Sequence, residues 1–316
     1  MKKSMCAKGD CTKSIICNKR DSKMTKEEFR NLTSHKITIL DGATGSFLID
    51  SGMPANCCVE NWICEHENIL IALQEQYVAA GSDIIYAPTF GANRGRLSSH
   101  HMEDDIVRLN TLPVQYTKKA AAGKALVAGN LSMTGSFLIE DEESFDRIVE
   151  IYKEQIKILS DAGCDLLAVE TMANALEAKA AAVAAREVCD LPIMISLSFE
   201  ENGHTYYGDN PKKALDILAD TGIDVIGANC SVGPEKMIDV IKEFAANTDL
   251  PILAKPNAGL PKPGPHGKFV YDLSDDNYAV LMVNLIDAGA SFVGGCCGTS
   301  PSYINKLSLL TSNMSR

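Results

Sequence analysis

Positive charge is scarce in this chain, which has 30 Lys and Arg residues against 41 Asp and Glu residues and a formal net charge of −11. This balance argues against a nucleic-acid-binding protein, because such proteins need basic surface to meet phosphates. No apolar run reaches the roughly 18 residues needed to cross a bilayer, and none follows Lys2 and Lys3 as it would in a secretory signal. Disorder is also excluded, because apolar residues make up 46% of the chain.

Cysteine, by contrast, is plentiful, with eleven copies. An odd count without a leader argues against a secreted disulfide scaffold and predicts a cytoplasmic location, where thiols stay reduced. Clustered cysteines in that setting are metal ligands, catalytic thiols or buried apolar side chains. The eleven are Cys6, Cys11, Cys17, Cys57, Cys58, Cys64, Cys164, Cys189, Cys230, Cys296 and Cys297.

Residues 1–24 are rich in Lys and Ser and show no hydrophobic periodicity, which predicts a flexible N-terminal arm. Cys6, Cys11 and Cys17 lie in this arm at spacings that match no zinc motif. We predict one folded domain over residues 25–316.

From residue 36 onward, short β-branched runs alternate with longer helical patterns. The eight predicted strands cover 37–40, 83–87, 125–128, 165–169, 192–197, 224–228, 251–254 and 291–294. The predicted helices lie near 65–80, 104–122, 143–162, 174–189, 211–221, 234–247, 275–288 and from 301 onward. Eight βα units of this kind predict an α/β fold of the (β/α)₈ TIM barrel type, in a single domain. A doubly wound open sheet shows the same alternation, but no G-x-G-x-x-G motif follows the first strand.

A glycine stands two residues before every second predicted strand, at Gly81, Gly163, Gly222 and Gly289. Such a glycine suits the left-handed position that ends a helix. The repeat favours a series of similar βα units over two unrelated domains.

Thiols gather where the last predicted strands end, since Cys230 follows strand six and the pair Cys296 and Cys297 follows strand eight. Neighbouring strands lie about 4.8 Å apart, so these thiols can converge across strand seven. Three thiolates with one open position suit tetrahedral Zn²⁺. Two alternatives stay open from spacing alone: three unconnected buried cysteines, or a strained redox disulfide within the pair.

Carboxylates end strands one and four, at Asp41 and Glu170, which places them at the same pole of a barrel. They suit the ammonium of an amino-acid-like substrate, and the glycine-containing turn over residues 41–46 offers backbone N–H groups for its carboxylate. The alternative is that Asp41 caps a helix and Glu170 is a satisfied buried acid. The candidate substrate contacts are Asp41, Gly42, Ala43, Thr44 and Glu170, together with Thr89 at the end of strand two.

With these residues assembled, the chain resembles the homocysteine S-methyltransferase family over about residues 37–312, and most of all the homocysteine-binding domain of cobalamin-dependent methionine synthase. The motifs that carry the resemblance are Asp41-Gly-Ala-Thr-Gly, Pro88-Thr-Phe-Gly-Ala, Val169-Glu-Thr171, Gly227-Ala-Asn-Cys-Ser231, Lys255-Pro-Asn-Ala-Gly259 and Gly294-Gly-Cys-Cys-Gly-Thr-Ser-Pro301.

The resemblance implies a barrel with one catalytic Zn²⁺ on Cys230, Cys296 and Cys297, with Asn257 as a candidate fourth ligand until the substrate thiol displaces it. It also implies that Asp41 and Glu170 bind the amino group of homocysteine. A free alkyl thiol has a pKa near 8.5, so a Lewis acid is needed to favour its thiolate at neutral pH. The implied reaction is methyl transfer to this sulfur, giving methionine.

The methyl donor is the open part of this prediction. Betaine-dependent members carry Tyr where this chain has Gly91, and S-methylmethionine-dependent members usually carry Arg where it has Gly298. The chain also lacks a D-x-H-x-x-G cobalamin signature and is too short for folate and cobalamin modules. We expect methylcobalamin on a separate corrinoid protein as donor, with homocysteine as acceptor. The alternatives are S-methylmethionine or betaine as donor, a different small thiol as acceptor, and a non-catalytic zinc, thiol or docking protein.

Overall fold

The computed structural model describes residues 23–135, 139–264, 269–312 and 314, and its central feature is a sheet of eight parallel strands. The strands are β1 (Thr38–Ile39), β2 (Ile84–Ala87), β3 (Leu126–Leu131), β4 (Leu166–Met172), β5 (Ile193–Leu197), β6 (Val225–Asn229), β7 (Ile252–Lys255) and β10 (Ala290–Val293). The sheet order is β1, β10, β7, β6, β5, β4, β3, β2, and a parallel bridge from Leu40 to Ile84 joins its two ends. The sheet therefore closes into the predicted (β/α)₈ barrel.

All eight predicted strands and all eight predicted helices are confirmed within a few residues at their ends. The predicted helices are α4 (Glu67–Ala79), α6 (Ile106–Ala121), α7 (Glu142–Ala162), α8 (Ala175–Val188), α9 (Pro211–Leu218), α10 (Pro234–Asn247), α11 (Asp275–Asp287) and α12 (Pro301–Thr311). Local chemistry explains their limits, since Asn174 and Ser274 cap α8 and α11 and Pro211 opens α9.

The repeated glycines all have the predicted left-handed backbone, and three of them stand at the ends of α4, α7 and α11, whereas Gly222 lies four residues after α9 ends at Leu218. Gly81, Gly163, Gly222 and Gly289 have φ values of 103°, 87°, 68° and 118°. Each therefore occupies left-handed backbone just before a barrel strand begins.

Several short elements escape the periodicity analysis because they are too brief to show a hydrophobic period. They are the helices α1 (Lys26–Thr33), α2 (Gly45–Asp50), α3 (Val59–Glu65) and α5 (Arg94–Ser98), together with a small antiparallel hairpin formed by β8 (Lys262–Pro263) and β9 (Phe269–Val270). Of these, α2, α3, α5 and the hairpin all belong to loops that follow the carboxyl ends of barrel strands.

Two apolar layers hold the barrel together. Alternate strand residues such as Leu166 and Leu253 fill its interior, while their neighbours pack outward against the helices. Helix α1 closes the amino end of the barrel, where Phe29 packs on Phe292 with ring centroids 5.9 Å apart. Met24 is also buried there, at 2% exposure, so this residue belongs to the packed unit. Residues 1–22, including Cys6, Cys11 and Cys17, lie outside the described residues, and the arm stays a prediction.

Within the described part of the chain, none of the helices has the length and apolar character to span a bilayer.

Candidate active site

The carboxyl ends of the barrel strands surround a cleft of about 670 Å³. This is the pole at which (β/α)₈ enzymes place their chemistry. Eight of the ten predicted site residues line it: Asp41, Gly42, Ala43, Thr44, Glu170, Cys230, Cys296 and Cys297.

The other two predicted residues, Thr89 and Asn257, are buried beside the cleft. The Thr89 hydroxyl donates to the carbonyl oxygen of Asn130 at 2.7 Å, which ties the loop after β2 to β3. The structure thus places Thr89 in the supporting wall and leaves no exposed atom for a substrate, since its exposure is 0%.

The three predicted cysteines come together at this pole. The Sγ atoms of Cys230, Cys296 and Cys297 all lie within 4.8 Å of one another, and those of Cys230 and Cys297 are 3.9 Å apart. All three thiols are free. Cys230 follows β6, the pair follows β10, and β7 lies between these strands, so the convergence across strand seven is present in the fold.

The backbone at the cysteines departs from regular strand geometry. Cys230 and Ser231 have φ values of 61° and 59°, and Thr171 at the end of β4 has 59°. Such left-handed conformations cost about 1–3 kcal/mol in a residue other than glycine, and they collect at functional sites. Asn229 holds this region, because its Oδ1 accepts from the Thr171 N–H and its Nδ2 donates to the Thr171 hydroxyl, both at 2.8 Å.

Glycine explains how two consecutive cysteines reach one point. Gly298 has a φ of 81°, and a Cβ atom there would collide with the ring of Tyr271. The turn is closed by Thr299, whose N–H and hydroxyl donate to the Cys296 carbonyl oxygen at 3.1 and 2.7 Å. The interaction of the Tyr271 hydroxyl with Cys297, a hydrogen bond, acts to lower the pKa of that thiol, against larger effects that raise it.

Without a bound cation, the three cysteines of the cluster favour the neutral thiol form. The hydrogen bond with Cys296, followed by burial, raises the pKa of Cys230 to about 12. The hydrogen bond with Cys230, again with burial, raises the pKa of Cys297 to about 11. Three close anions would repel one another, so a cation is required to make all three sulfurs thiolates at neutral pH.

Asn257 is the candidate fourth ligand. Its exposure is 3%, and its Oδ1 has no hydrogen-bond partner among the described residues. The buried amide oxygens of Gln74, Asn130 and Gln155 also lack a partner there, so this feature is compatible with a ligand role without identifying one. Three sulfur ligands and this oxygen match the donor set that Zn²⁺ accepts, so the residues present fit the implied metal.

A buried charge cluster lies beside the thiols. Asp41 Oδ1 is 2.8 Å from Lys255 Nζ, and Glu170 Oε2 is 3.9 Å from the same nitrogen. Lys255 also lies over the ring of Tyr86, 3.8 Å from its centroid. Burial lowers the pKa of Lys255, but the two carboxylates outweigh it and hold the pKa well above the usual value, so the ammonium stays charged.

Sequence reasoning assigned no role to Lys255, Tyr271 or Asn229. Alternation with Leu253 along β7 places Lys255 on the inward face of the barrel, but this alternation does not give its partner in the ion pair. Tyr271 lies in an irregular loop after β9, and an irregular loop has no periodicity from which the direction of a side chain could be predicted.

The remaining described cysteines stay apart from the cluster. Cys164 is buried in the apolar layer around the barrel, and Cys189 packs against that layer. Cys57 and Cys58 form part of the cleft wall, next to Glu60. In the described ranges, Cys230, Cys296 and Cys297 make up the one group of potential metal ligands.

The model of the family described as homocysteine S-methyltransferase matches residues 38–310. The chain belongs to this family. The resemblance seen in the motifs is thereby confirmed, and so is the predicted enzyme class, a methyltransferase.

Similar proteins agree with this assignment. The methionine synthases of Mycobacterium tuberculosis and Mycobacterium leprae are 26% and 27% identical over 314 and 292 residues, which are 94% and 87% of this chain. The chain spans only 26% and 24% of their lengths. The homocysteine methyltransferase MmuM of Escherichia coli shares the fold: its oxidized form has a TM-score of 0.74 and its metallated form 0.73, at 22% and 23% identity, covering 87% of this chain and 96% of MmuM.

Proposed function

We propose that the protein is a zinc-dependent homocysteine S-methyltransferase that forms methionine. The observation that carries this proposal is the convergence of three free thiols within 4.8 Å at the catalytic pole of a barrel that belongs to this family. Cys230, Cys296 and Cys297 would hold the metal, with the orphaned Asn257 oxygen as the fourth ligand before substrate arrives. The metallated form of MmuM is a further support, since that relative of similar fold takes up metal.

When bound, Zn²⁺ would act as a Lewis acid that favours the thiolate form of the substrate sulfur at neutral pH. The protein's own residues bind and orient the substrate. The acidic cluster attracts its ammonium, and the turn before α2 lines the cleft, where it would meet the substrate carboxylate. In the reaction a carbon–sulfur bond forms, the bond from the methyl carbon to the donor breaks, and the donor leaves with the bonding electron pair. The thiol proton is lost to solvent.

The donor in this proposal is a methyl-corrinoid carried by a separate protein. Two crowded glycines support this choice of donor. They stand where the betaine-dependent and S-methylmethionine-dependent members of the family carry large side chains. A Cβ atom at Gly91 would lie 3.0 Å from Glu60 Oε1, and one at Gly298 would meet the Tyr271 ring. Glu60 also accepts a hydrogen bond from the Gly91 N–H at 2.6 Å, so the space above this glycine is already filled.

The test is a donor panel. Zinc-loaded protein and homocysteine are incubated with methylcobalamin, S-methylmethionine or betaine, and methionine is measured. We expect turnover with methylcobalamin. Strong activity with betaine or S-methylmethionine alone would exclude the corrinoid donor while leaving the methyltransferase intact.

A variant pair tests the metal. Cys230→Ala should lose zinc and methyl transfer together, whereas Cys189→Ala, which changes a free thiol outside the cluster, should keep both. Methyl transfer that survives the loss of zinc in Cys230→Ala would refute a catalytic metal.

A further inference from the structure

Asn229, the last residue of β6, is fully buried and uses both ends of its side-chain amide. Its Oδ1 accepts from the Thr171 backbone N–H at 2.8 Å and from the Ser196 hydroxyl at 2.7 Å. Its Nδ2 donates to the Thr171 hydroxyl at 2.8 Å and also meets the sulfur of Cys296, with Nδ2 and Sγ 4.0 Å apart. One side chain therefore ties the ends of β4, β5 and β6 to the thiol cluster.

The orientation of this amide is fixed by the chemistry of its partners. The backbone N–H of Thr171 can only donate, so the atom of Asn229 that it meets must be the oxygen. The nitrogen therefore faces the Thr171 hydroxyl and the sulfur of Cys296, since a flipped amide would set two donors against each other. An N–H group is thus directed at one of the three candidate metal ligands.

The other two sulfurs also have donors from outside the cluster. Hydrogen bonds among the thiols, together with burial, raise the pKa of Cys230 and of Cys297, and outside donors act in the opposite direction. These donors are the backbone of Ser231 for Cys230 and the hydroxyl of Tyr271 for Cys297. The buried amide at the end of β6 supplies the corresponding donor to the third sulfur.

A donor beside a metal-bound thiolate has two effects. It fixes the direction of the sulfur, and it offsets part of the negative charge that the thiolates bring to the metal. Hydrogen bonds to a charged acceptor are also shorter and stronger than those to a neutral one. The contact at 4.0 Å from Asn229 should therefore tighten when Cys296 becomes a thiolate.

We infer that Asn229 is a positioning residue for the metal and that its amide N–H holds the thiolate of Cys296. This inference rests on the proposed function. Because Thr171 and Ser196 anchor the same amide, the direction of the Cys296 sulfur is set in part by β4 and β5, which carry none of the three cysteines.

The experiment compares Asn229→Ala with the matched variant Ser196→Ala. The first variant removes the N–H donor to Cys296. The second removes one of the two donors to Oδ1 of Asn229, so it loosens the amide and keeps the N–H toward the sulfur. Zinc affinity is measured by competition with a chelator, and the Co²⁺-loaded proteins report the thiolate-to-metal charge-transfer band.

We expect Asn229→Ala to bind zinc about 10- to 100-fold more weakly, the range for loss of a group that supports a metal ligand. Its cobalt charge-transfer band should move to longer wavelength, because a thiolate without the N–H donor gives up electron density more readily. Ser196→Ala should keep the band of the wild type and lose less than about tenfold in zinc affinity.

A band that stays in place in Asn229→Ala, or that moves equally in Ser196→Ala, would show that Asn229 only braces the strands and would overturn the inference. Cadmium-loaded wild-type protein gives an answer that does not depend on the folding of a variant. Nuclear magnetic resonance should detect scalar coupling between the side-chain N–H of Asn229 and the metal nucleus across the N–H···S hydrogen bond, and absence of this coupling would also overturn the inference. In either case zinc binding by the wild type would leave the proposed function standing. A wild type that binds no zinc through Cys230, Cys296 and Cys297 would refute the proposed function, and the inference with it.

Discussion

The hydrogen bond from Tyr271 to Cys297 makes a quantitative prediction about metal retention. Tyr271 is half-buried, and its hydroxyl donates to a sulfur that the metal would need as a thiolate. A hydrogen bond to a charged group contributes about 1.5–3 kcal/mol. Partners that support metal ligands in this way typically change metal affinity by about 10- to 100-fold, which is the same energy range.

Tyr271→Phe is the appropriate perturbation. It removes the hydroxyl and keeps the ring, which packs on Gly298. We therefore expect zinc to bind about 10- to 100-fold more weakly, with little change in melting temperature of the metal-free protein. The measurement is competition for zinc against a chromogenic chelator at fixed pH.

The matched control is Tyr206→Phe. Tyr206 is 77% exposed and its ring contacts Tyr207, not the thiols. This control should retain wild-type zinc affinity. Zinc affinity of Tyr271→Phe within about twofold of the control would refute the reasoning, because the hydrogen bond would then contribute almost nothing to the thiolate.

Three further predictions concern the frame around the site. Gly298→Ala should lower the melting temperature and the zinc content, because left-handed backbone costs an L-residue about 1–2 kcal/mol and the new Cβ meets Tyr271; wild-type values for both would contradict this. Phe29→Ala should cost about 3–5 kcal/mol in denaturant unfolding, since Phe29 is 1% exposed, and a loss under about 1 kcal/mol would show that α1 does not seal the barrel. Burial raises the pKa of the Glu177 carboxyl, so the folded state binds the carboxyl proton more tightly than the unfolded state does. The stability of the wild type relative to Glu177→Gln should therefore be greatest below the unfolded pKa, near 4.3. This extra stability should be lost as the pH rises through the pKa of Glu177 in the folded state. Urea titrations of both proteins at several pH values measure this difference, and a pH-independent difference would contradict it.

The barrel itself was predictable because its signals are local. Short β-branched runs, longer helical patterns and the glycines before alternate strands each act over a few residues, and together they fix the number and order of βα units. The thiol cluster was predictable for a related reason. Residues that follow parallel strands must meet at one edge of the sheet, so Cys230 and the pair at 296–297 are brought together by topology alone.

The short loop helices and the roles of Thr89 and Lys255 were beyond this reasoning. Thr89 follows a strand as Asp41 does, yet its side chain turns into the wall to meet the Asn130 carbonyl. No local pattern shows whether such a side chain faces the cleft or the wall, because the direction of a side chain after a strand end depends on how the neighbouring loops pack.

The sequence by itself therefore determined the fold, the family and the three thiols that meet at one pole. Only the tertiary structure decided which charged side chains pair with one another at this pole. Lys255 and Asp41 stand 214 residues apart, and they pair because strand register and tilt bring β1 and β7 into one buried layer. Such an interaction has no period and no local signature, so it becomes visible only when the barrel is closed.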